Sequence, residues 1–329
     1  MSATLGLTEN AVKSKFYQKL PDVMSVAWWN GLVAVNFDSD QESEVYRMIG
    51  MPPMPREWTS ERAKKGLRVF DIPIANKDWE STLAFPLRVW NGDKTGQVKQ
   101  RVAELPIRFR SHINKLLSTL IINGTGSTNG RAYDGQFYFD TDHVSGDSGT
   151  QTNVLTNTQV PRLAVVSSTN PTESEIARAI LGVISYAQSI KDDQGELINE
   201  DALEWVVMVP QELGGVANAA VYNATVRGAS AIPDANPLQS ARAPNDGTLH
   251  IRLVVNARLT TATNFKVFRA DGSTKPFILQ MHSQPEVAFI GPGTEHAIKF
   301  NEVLVAAKAT YNAGYGQWEH AYDCTLSNI

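Results

Sequence analysis

Two short segments carry residue types able to do chemistry. Ser148 sits in Gly146-Asp147-Ser148-Gly149, with the small flanking residues of a serine nucleophile. Covalent catalysis would also need a histidine base, a buried carboxylate and oxyanion donors. The only upstream histidines are His112, inside a helical pattern, and His143, five residues away. A tetrapeptide of turn formers in a polar stretch predicts a surface loop instead. Just upstream, Asp140-Thr141-Asp142-His143 offers two carboxylates and an imidazole, donors that suit a divalent cation. No second cluster completes such a shell. The same groups, with Tyr133 and Asp134 before them, can pin a loop through backbone hydrogen bonds. The other histidines, 250, 282, 296 and 320, are scattered, and Gly314-Tyr315-Gly316 precedes no phosphate-binding Lys-Ser/Thr. No catalytic constellation, cofactor or metal is expected.

Composition sets the frame for that result. The chain has 329 residues, 42% hydrophobic and 19% charged, with Lys plus Arg 30 against Asp plus Glu 34. That apolar content excludes a disordered chain. A formal net charge of −4 gives no basic excess for gripping nucleic acid. The single cysteine, Cys324, excludes an intrachain disulfide and thiolate clusters. No apolar run is long enough to span a membrane, and residues 1–6 lack the pattern of a signal peptide. A soluble, intracellularly made protein of about two domains is expected.

The elements that must position these residues are uneven along the chain. In the first 55 residues, Val12, Phe16 and Leu20 recur at fourfold spacing, predicting a helix over 9–20. Trp28-Trp29, an acidic stretch at 38–44 and Met51-Pro52-Pro53-Met54-Pro55 follow. This composition suits either an arm that packs on something else or a subdomain strapped to its own core. Residues 67–85 alternate (Phe70, Ile72, Ile74; then Trp79, Leu83, Phe85) around a turn-like Ala75-Asn76-Lys77-Asp78, predicting a β-hairpin. Nothing nearby in the sequence covers it.

A long helix is expected over 97–123. Val98, Val102, Leu105, Phe109, Ile113, Leu117 and Leu120 form its stripe, Pro106 should kink or split it, and Gly124 should cap it. At 1.5 Å per residue it would span about 40 Å, which suits a structural spine. A second helix, 173–191, starts at a Thr172/Glu175 capping box. A buried strand (205–209), an Ala-rich helix (211–225) and a loop (227–248) come next. Strands are expected at 249–255, 265–269, 276–281, 286–290 and 303–311, with Asp271-Gly272 as a hairpin turn.

Three stretches together resemble the Mu-like phage major head subunit (gpT) family. They are Glu57-Trp58-Thr59-Ser60-Glu61-Arg62 with Asn76 to Glu80 and Thr82-Leu83; Tyr133 to Gln136 through Phe139 to His143; and Asn312, Gly314, Gly316 and Trp318 near the end. The chain departs from the family at Val89-Trp90-Asn91-Gly92-Asp93-Lys94, where an acidic segment is usual. The resemblance implies an α+β, Hong Kong 97-type capsid fold. Residues 1–55 would be the N-terminal arm and 56–92 the extended E-loop hairpin. Residues 93–205, completed by 297–329, would be the peripheral domain, and 206–296 the axial domain.

The resemblance also implies a major capsid protein, not an enzyme, that self-assembles into the pentamers and hexamers of an icosahedral shell around double-stranded DNA. The arm (Phe16, Trp28, Trp29, Met51) and the hairpin with its flank (Arg62, Lys64, Asn76, Lys77, Asp78, Trp79) would contact neighbouring subunits. Further partners would be a portal and scaffold or cement proteins. The location would be the virion, after assembly in the bacterial cytoplasm. The alternatives are a hydrolase built on Ser148 or on a metal at Asp140/Asp142/His143, and another phage structural protein of the tail or decoration class.

Overall fold

The computed structural model describes residues 9–37, 43–58, 66–92, 96–228, 233–241 and 249–329. The expectations for Arg62 and Lys64 lie outside the described residues, as does most of the acidic stretch.

Helix α1 (Glu9–Ser25) runs past its expected end and buries Val12, Phe16, Leu20 and Val23. That stripe packs on the long helix α3 (Gln97–Ile122). After it, β1 (Val33–Phe37) adds in parallel to the edge of a sheet. Residues 9–37 are therefore strapped onto their own subunit. Burying one large apolar side chain stabilises by roughly 1.5–3 kcal/mol, so four of them hold α1 firmly.

Strand β2 (Ser43–Ile49) precedes β3 (Val69–Ala75) and β4 (Lys77–Pro86). The hairpin expected over 67–85 is corrected here. β3 pairs antiparallel with β2, from Ile49↔Val69 to Ser43↔Ala75. β4 pairs instead with β15 (Glu302–Tyr315). Alternation gave both strands and the turn, but pairing follows the apolar faces. β3 turns Ile72 and Ile74 onto Ile278, while β4 turns Trp79, Leu83 and Phe85 onto the main core. Only Asn76 separates the two strands, and it marks the change of partner.

Helix α2 (Leu87–Asn91) leads into α3, which passes through Pro106 unbroken. Its C-cap is Asn123 at φ −94°, not a left-handed glycine. Gly124 serves close approach: a Cβ there would fall 2.5 Å from the Phe139 ring. Four two-residue strands follow: β5 (His143–Val144), β6 (Thr150–Gln151), β7 (Val154–Leu155) and β8 (Ala164–Val165). Helix α4 (Glu173–Ala187) opens on the capping box, Thr172 Oγ1 accepting from the Glu175 amide and Glu175 from the Thr172 amide.

Strand β9 (Glu204–Val209) is buried from Trp205 to Val209, as a continuous apolar run requires when both faces are covered. Helix α5 (Gly214–Tyr222) is shorter than expected. The segment read as a loop over 227–248 contributes to a small ribbon, β10 (Thr225–Arg227) with β11 (Pro233–Ala235), and contains α6 (Pro237–Ala241). Strands β12 (His250–Val255) and β13 (Asn264–Arg269) match expectation closely. The two strands expected over 276–290 are one, β14 (Phe277–Ile290), irregular between Met281 and Glu286. Asp271-Gly272 is not a hairpin turn, because β13 and β14 belong to different sheets. The chain closes through α7 (Glu295–Phe300), β15, β16 (Ala321–Thr325) and β17 (Ser327–Asn328).

The main sheets are a four-stranded one, β1-β14-β15-β4, and a five-stranded one, β12-β9-β13-β16-β7. Neither is a consecutive block of sequence. Helices α1 and α3 lie on the first, and α4 and α5 on the second.

Candidate assembly surfaces and a buried polar node

The chemistry-bearing loop resolves into separate hydrogen-bonding duties. Ser148 Oγ donates to the Gly149 carbonyl at 2.8 Å and accepts from the Ser145 amide at 3.0 Å. Both of its hydrogen bonds go to backbone, and the neighbouring imidazole, His143, pairs through Nδ1 with Asp134 Oδ2 at 2.6 Å. Asp140 accepts from the Phe137 and Thr141 amides, while Asp142 is exposed. Among the described residues, no group of three or more His, Cys, Asp or Glu side chains could hold a metal. The arrangement fixes the loop through side chain–backbone hydrogen bonds.

Beneath the loop is a polar node the sequence did not reveal. The His143 ring is stacked on Trp318, with centroids 3.9 Å apart and planes 5° apart. The Tyr133 hydroxyl donates to Glu319 Oε1, and Gln317 Nε2 donates to Oε2 at 3.0 Å. Burial pushes the Glu319 carboxyl up to about 8, with nearby Asp134 adding to the rise. Asn199 reaches the Glu319 carbonyl at 2.9 Å, and the Tyr322 hydroxyl donates to it at 2.6 Å. Of this set, Tyr133, Asp134, His143 and Trp318 were singled out beforehand. Glu319 lies 186 residues from Tyr133 in sequence, and no local pattern links them.

The β2–β3 ribbon has two unlike faces. Its inner side sets Met48, Ile72 and Ile74 against Ile278, with Phe70 on Tyr133 at 4.6 Å between centroids. Gln280 Nε2 donates to the Ile74 carbonyl at 2.8 Å, and Asn312 Nδ2 to the Ala75 carbonyl at 2.6 Å. Gly314 permits this approach, since a Cβ would sit 2.7 Å from Ile74 Cδ1. At the other end, the Met51 amide donates to Asp193 Oδ1 at 3.1 Å. The outer side carries Val45, Ile49 and Val69, exposed by 44%, 54% and 54%. Among them, Arg47 and Asp71 pair across the strands at 3.2 Å. The alternation of Val45, Arg47 and Ile49 with Tyr46 and Met48 was the available signal, masked by apolar residues on both sides.

The residues singled out for contacts between subunits fall into several settings. Phe16 and Trp29 are buried in the subunit's own core. Trp28 is half-buried, and its carbonyl accepts from Arg252 at 3.0 Å. Asn76 Oδ1 accepts from Gln280 at 2.8 Å, and Asp78 Oδ1 from Thr310 at 2.6 Å. Trp79 donates to the Tyr311 carbonyl at 2.8 Å and packs on His112 at 4.1 Å. Lys77 is exposed and Met51 half-buried. A second exposed apolar set lies at the far end of β14 and β15, where Ile298 and Phe300 of α7 are 78% and 64% exposed. No described helix is long and apolar enough to cross a membrane.

Known proteins match this chain at three levels. Residues 6–171 match the family described as Mu-like prophage major head subunit gpT. The Mu-like prophage FluMu major head subunit of Haemophilus influenzae is 26% identical over 121 residues, which is 37% of this chain. The match spans only 38% of that relative's length. Among solved structures, the procapsid of bacteriophage JBD30 aligns with a TM-score of 0.52 and 17% identity, over 98% of this chain and 77% of that one. The capsid of cyanophage P-SCSP1u aligns at 0.51 and 11% identity, over 91% and 88%. A virus-like particle from Pyrococcus furiosus aligns at 0.50 and 9% identity, over 94% and 98%.

Proposed function

Because the chain belongs to the Mu-like prophage major head subunit gpT family, the major capsid proteins of tailed phages, we propose that its work is assembly rather than catalysis. Its fold is the Hong Kong 97-type capsid fold, and family and fold are those of structural proteins, not enzymes. Copies of the chain form pentamers and hexamers that close into an icosahedral shell around double-stranded DNA. The subunit is a virion component, assembled in the cytoplasm of a bacterial host. A portal and scaffold or cement proteins are its further partners.

One observation carries this reading: the β2–β3 ribbon is anchored to the body along its inner face and bare along its outer one. A bare apolar ribbon is a liability in a monomer and a connector in a shell. Val45, Ile49, Val69 and Lys77 therefore take the role of contacts between subunits. Phe16 and Trp29, buried at home, support the interface from within. The α1 and β1 segment acts as the arm, and residues 56–92 with β2 act as the extended loop. Residues 93–205 with 297–329, which carry α3 and β15, are the peripheral unit, and residues 206–296, which carry β12 and β13, the axial unit. Each contact is modest, but several per subunit multiply through effective concentration. A net charge of −4 suits a wall that encloses DNA without holding it tightly.

Size-exclusion chromatography and negative-stain imaging of the purified chain test the reading. Capsomers and closed shells are expected. A strictly monomeric species would sink it, and rings or tubes that never close would favour a tail protein. Ser148→Ala is expected to assemble like the parent.

A further inference from the structure

We infer that the node end of the β2–β3 ribbon is a proton-dependent strap, held to the body while the Glu319 carboxyl is neutral and loosened when it ionises. The inference concerns the single subunit and stands whether or not shells form.

The geometry places Glu319 under the ribbon's anchored end. A cavity of about 10 Å³, room for about one water, is lined by Met48, Gly50, Met51, Phe70, Tyr133 and Glu319. Ribbon and body close tightly here. A Cβ on Gly50 would fall 2.7 Å from the Asp193 carboxylate, and the Met51 amide donates to Asp193 Oδ1 at 3.1 Å. Tyr133 joins the two parts, with its ring against Phe70 and its hydroxyl on Glu319.

The groups that face Glu319 make its ionisation costly. Asp192 and Asp193 line the same cavity, and Asp134 lies on the Tyr133 side. Each of the three is committed to its own donors. Asp192 accepts from the Gln194 and Glu196 amides, Asp193 from Met51 and Gln194, and Asp134 from Gln136 and the His143 imidazole. The Arg68 guanidinium, the ribbon's nearby cation, lies beside Gly146, 3.2 Å from where a Cβ on that glycine would sit. The donors to the Glu319 carboxyl are a phenol and a primary amide, both uncharged. A carboxylate formed at this buried position would draw in water, and the cavity sits between ribbon and body. Opening there hydrates the charge.

Proton linkage sets the pH range. The carboxyl titrates at about 8 in the closed node, against 4.5 for a solvated glutamate. Opening therefore releases one proton between these values. The open fraction rises by up to about tenfold per pH unit from about 4.5 to about 8, then levels off.

Hydrogen–deuterium exchange of the full chain tests this between pH 5 and 9, after correction for the intrinsic pH dependence of exchange. Peptides over 46–51 should lose protection by up to about tenfold per unit up to pH 8, relative to α4. Glu319→Gln cannot ionise; its amide oxygen still accepts from Gln317 and its amide nitrogen donates to the Tyr133 hydroxyl in place of accepting from it, so those peptides should show flat protection. Tyr133→Phe removes a donor that favours the carboxylate, so levelling-off should move to higher pH. Equal pH dependence in wild type and Glu319→Gln would overturn the inference. So would a loss of protection that appears equally in α4, which would report global unfolding.

Discussion

Strand β9 and the β2–β3 ribbon solve the same problem in opposite ways. Both are apolar strands whose backbones are paired. Around β9 the subunit supplies everything: neighbours on both edges, helices α4 and α5 packed on the same sheet, and burial from Trp205 to Val209. The ribbon receives cover on one face only. Its other face keeps Val45, Ile49 and Val69 in solvent. One region completes itself, and the other is left covered on one face only. A surface of the second kind costs a lone subunit solubility and is useful only if a partner exists.

Charge insertion breaks the comparison most sharply. Val207→Asp puts an unpaired carboxylate in the fully buried centre of the five-stranded sheet. It should cost at least about 4 kcal/mol and unfold much of the protein, as read by denaturant melts. Val69→Asp, on the ribbon's outer face, should change stability by no more than about 0.5 kcal/mol and still prevent shell formation in negative stain. Gly314→Val comes next. Its side chain would collide with Ile74, so the ribbon should lift and its amides exchange faster while α4 stays protected. Thr172→Ala removes one half of the α4 capping box and should cost about 1 kcal/mol in thermal unfolding, without affecting the ribbon. Arg47→Ala sits last. The pair with Asp71 is exposed on both sides, so stability should move by under about 1 kcal/mol.

Legibility in the sequence followed the same division. Helices α3 and α4 were readable because their stripes and the Thr172/Glu175 box act within one turn or two. Strand β9 was readable as a bounded apolar run. Pairing was not. The partner of β3 is an upstream strand, paired from Ile49↔Val69 to Ser43↔Ala75, and no local rule selects it over β4. Asp271-Gly272 had turn chemistry, yet its flanking strands serve different sheets. In the loop, Tyr133, Asp134 and His143 stood out by type, while Glu319 and Asp193 did not, since only the fold brings them near. The closing pattern Asn312, Gly314, Gly316 acquires a physical meaning only in three dimensions. Asn312 holds Ala75, Gly314 admits Ile74, and Gly316 passes so close to the Lys275 carbonyl that a Cβ would sit 2.2 Å away.

The central claim is that the bare ribbon face joins copies of this chain into a shell. Imaging purified wild type beside Val69→Asp, with both shown folded by circular dichroism, tests it most directly. Closed shells from the wild type and only dispersed, folded subunits from the variant are the predicted result. Shells of normal size and yield from Val69→Asp, or a wild type that never leaves the monomer, would contradict it.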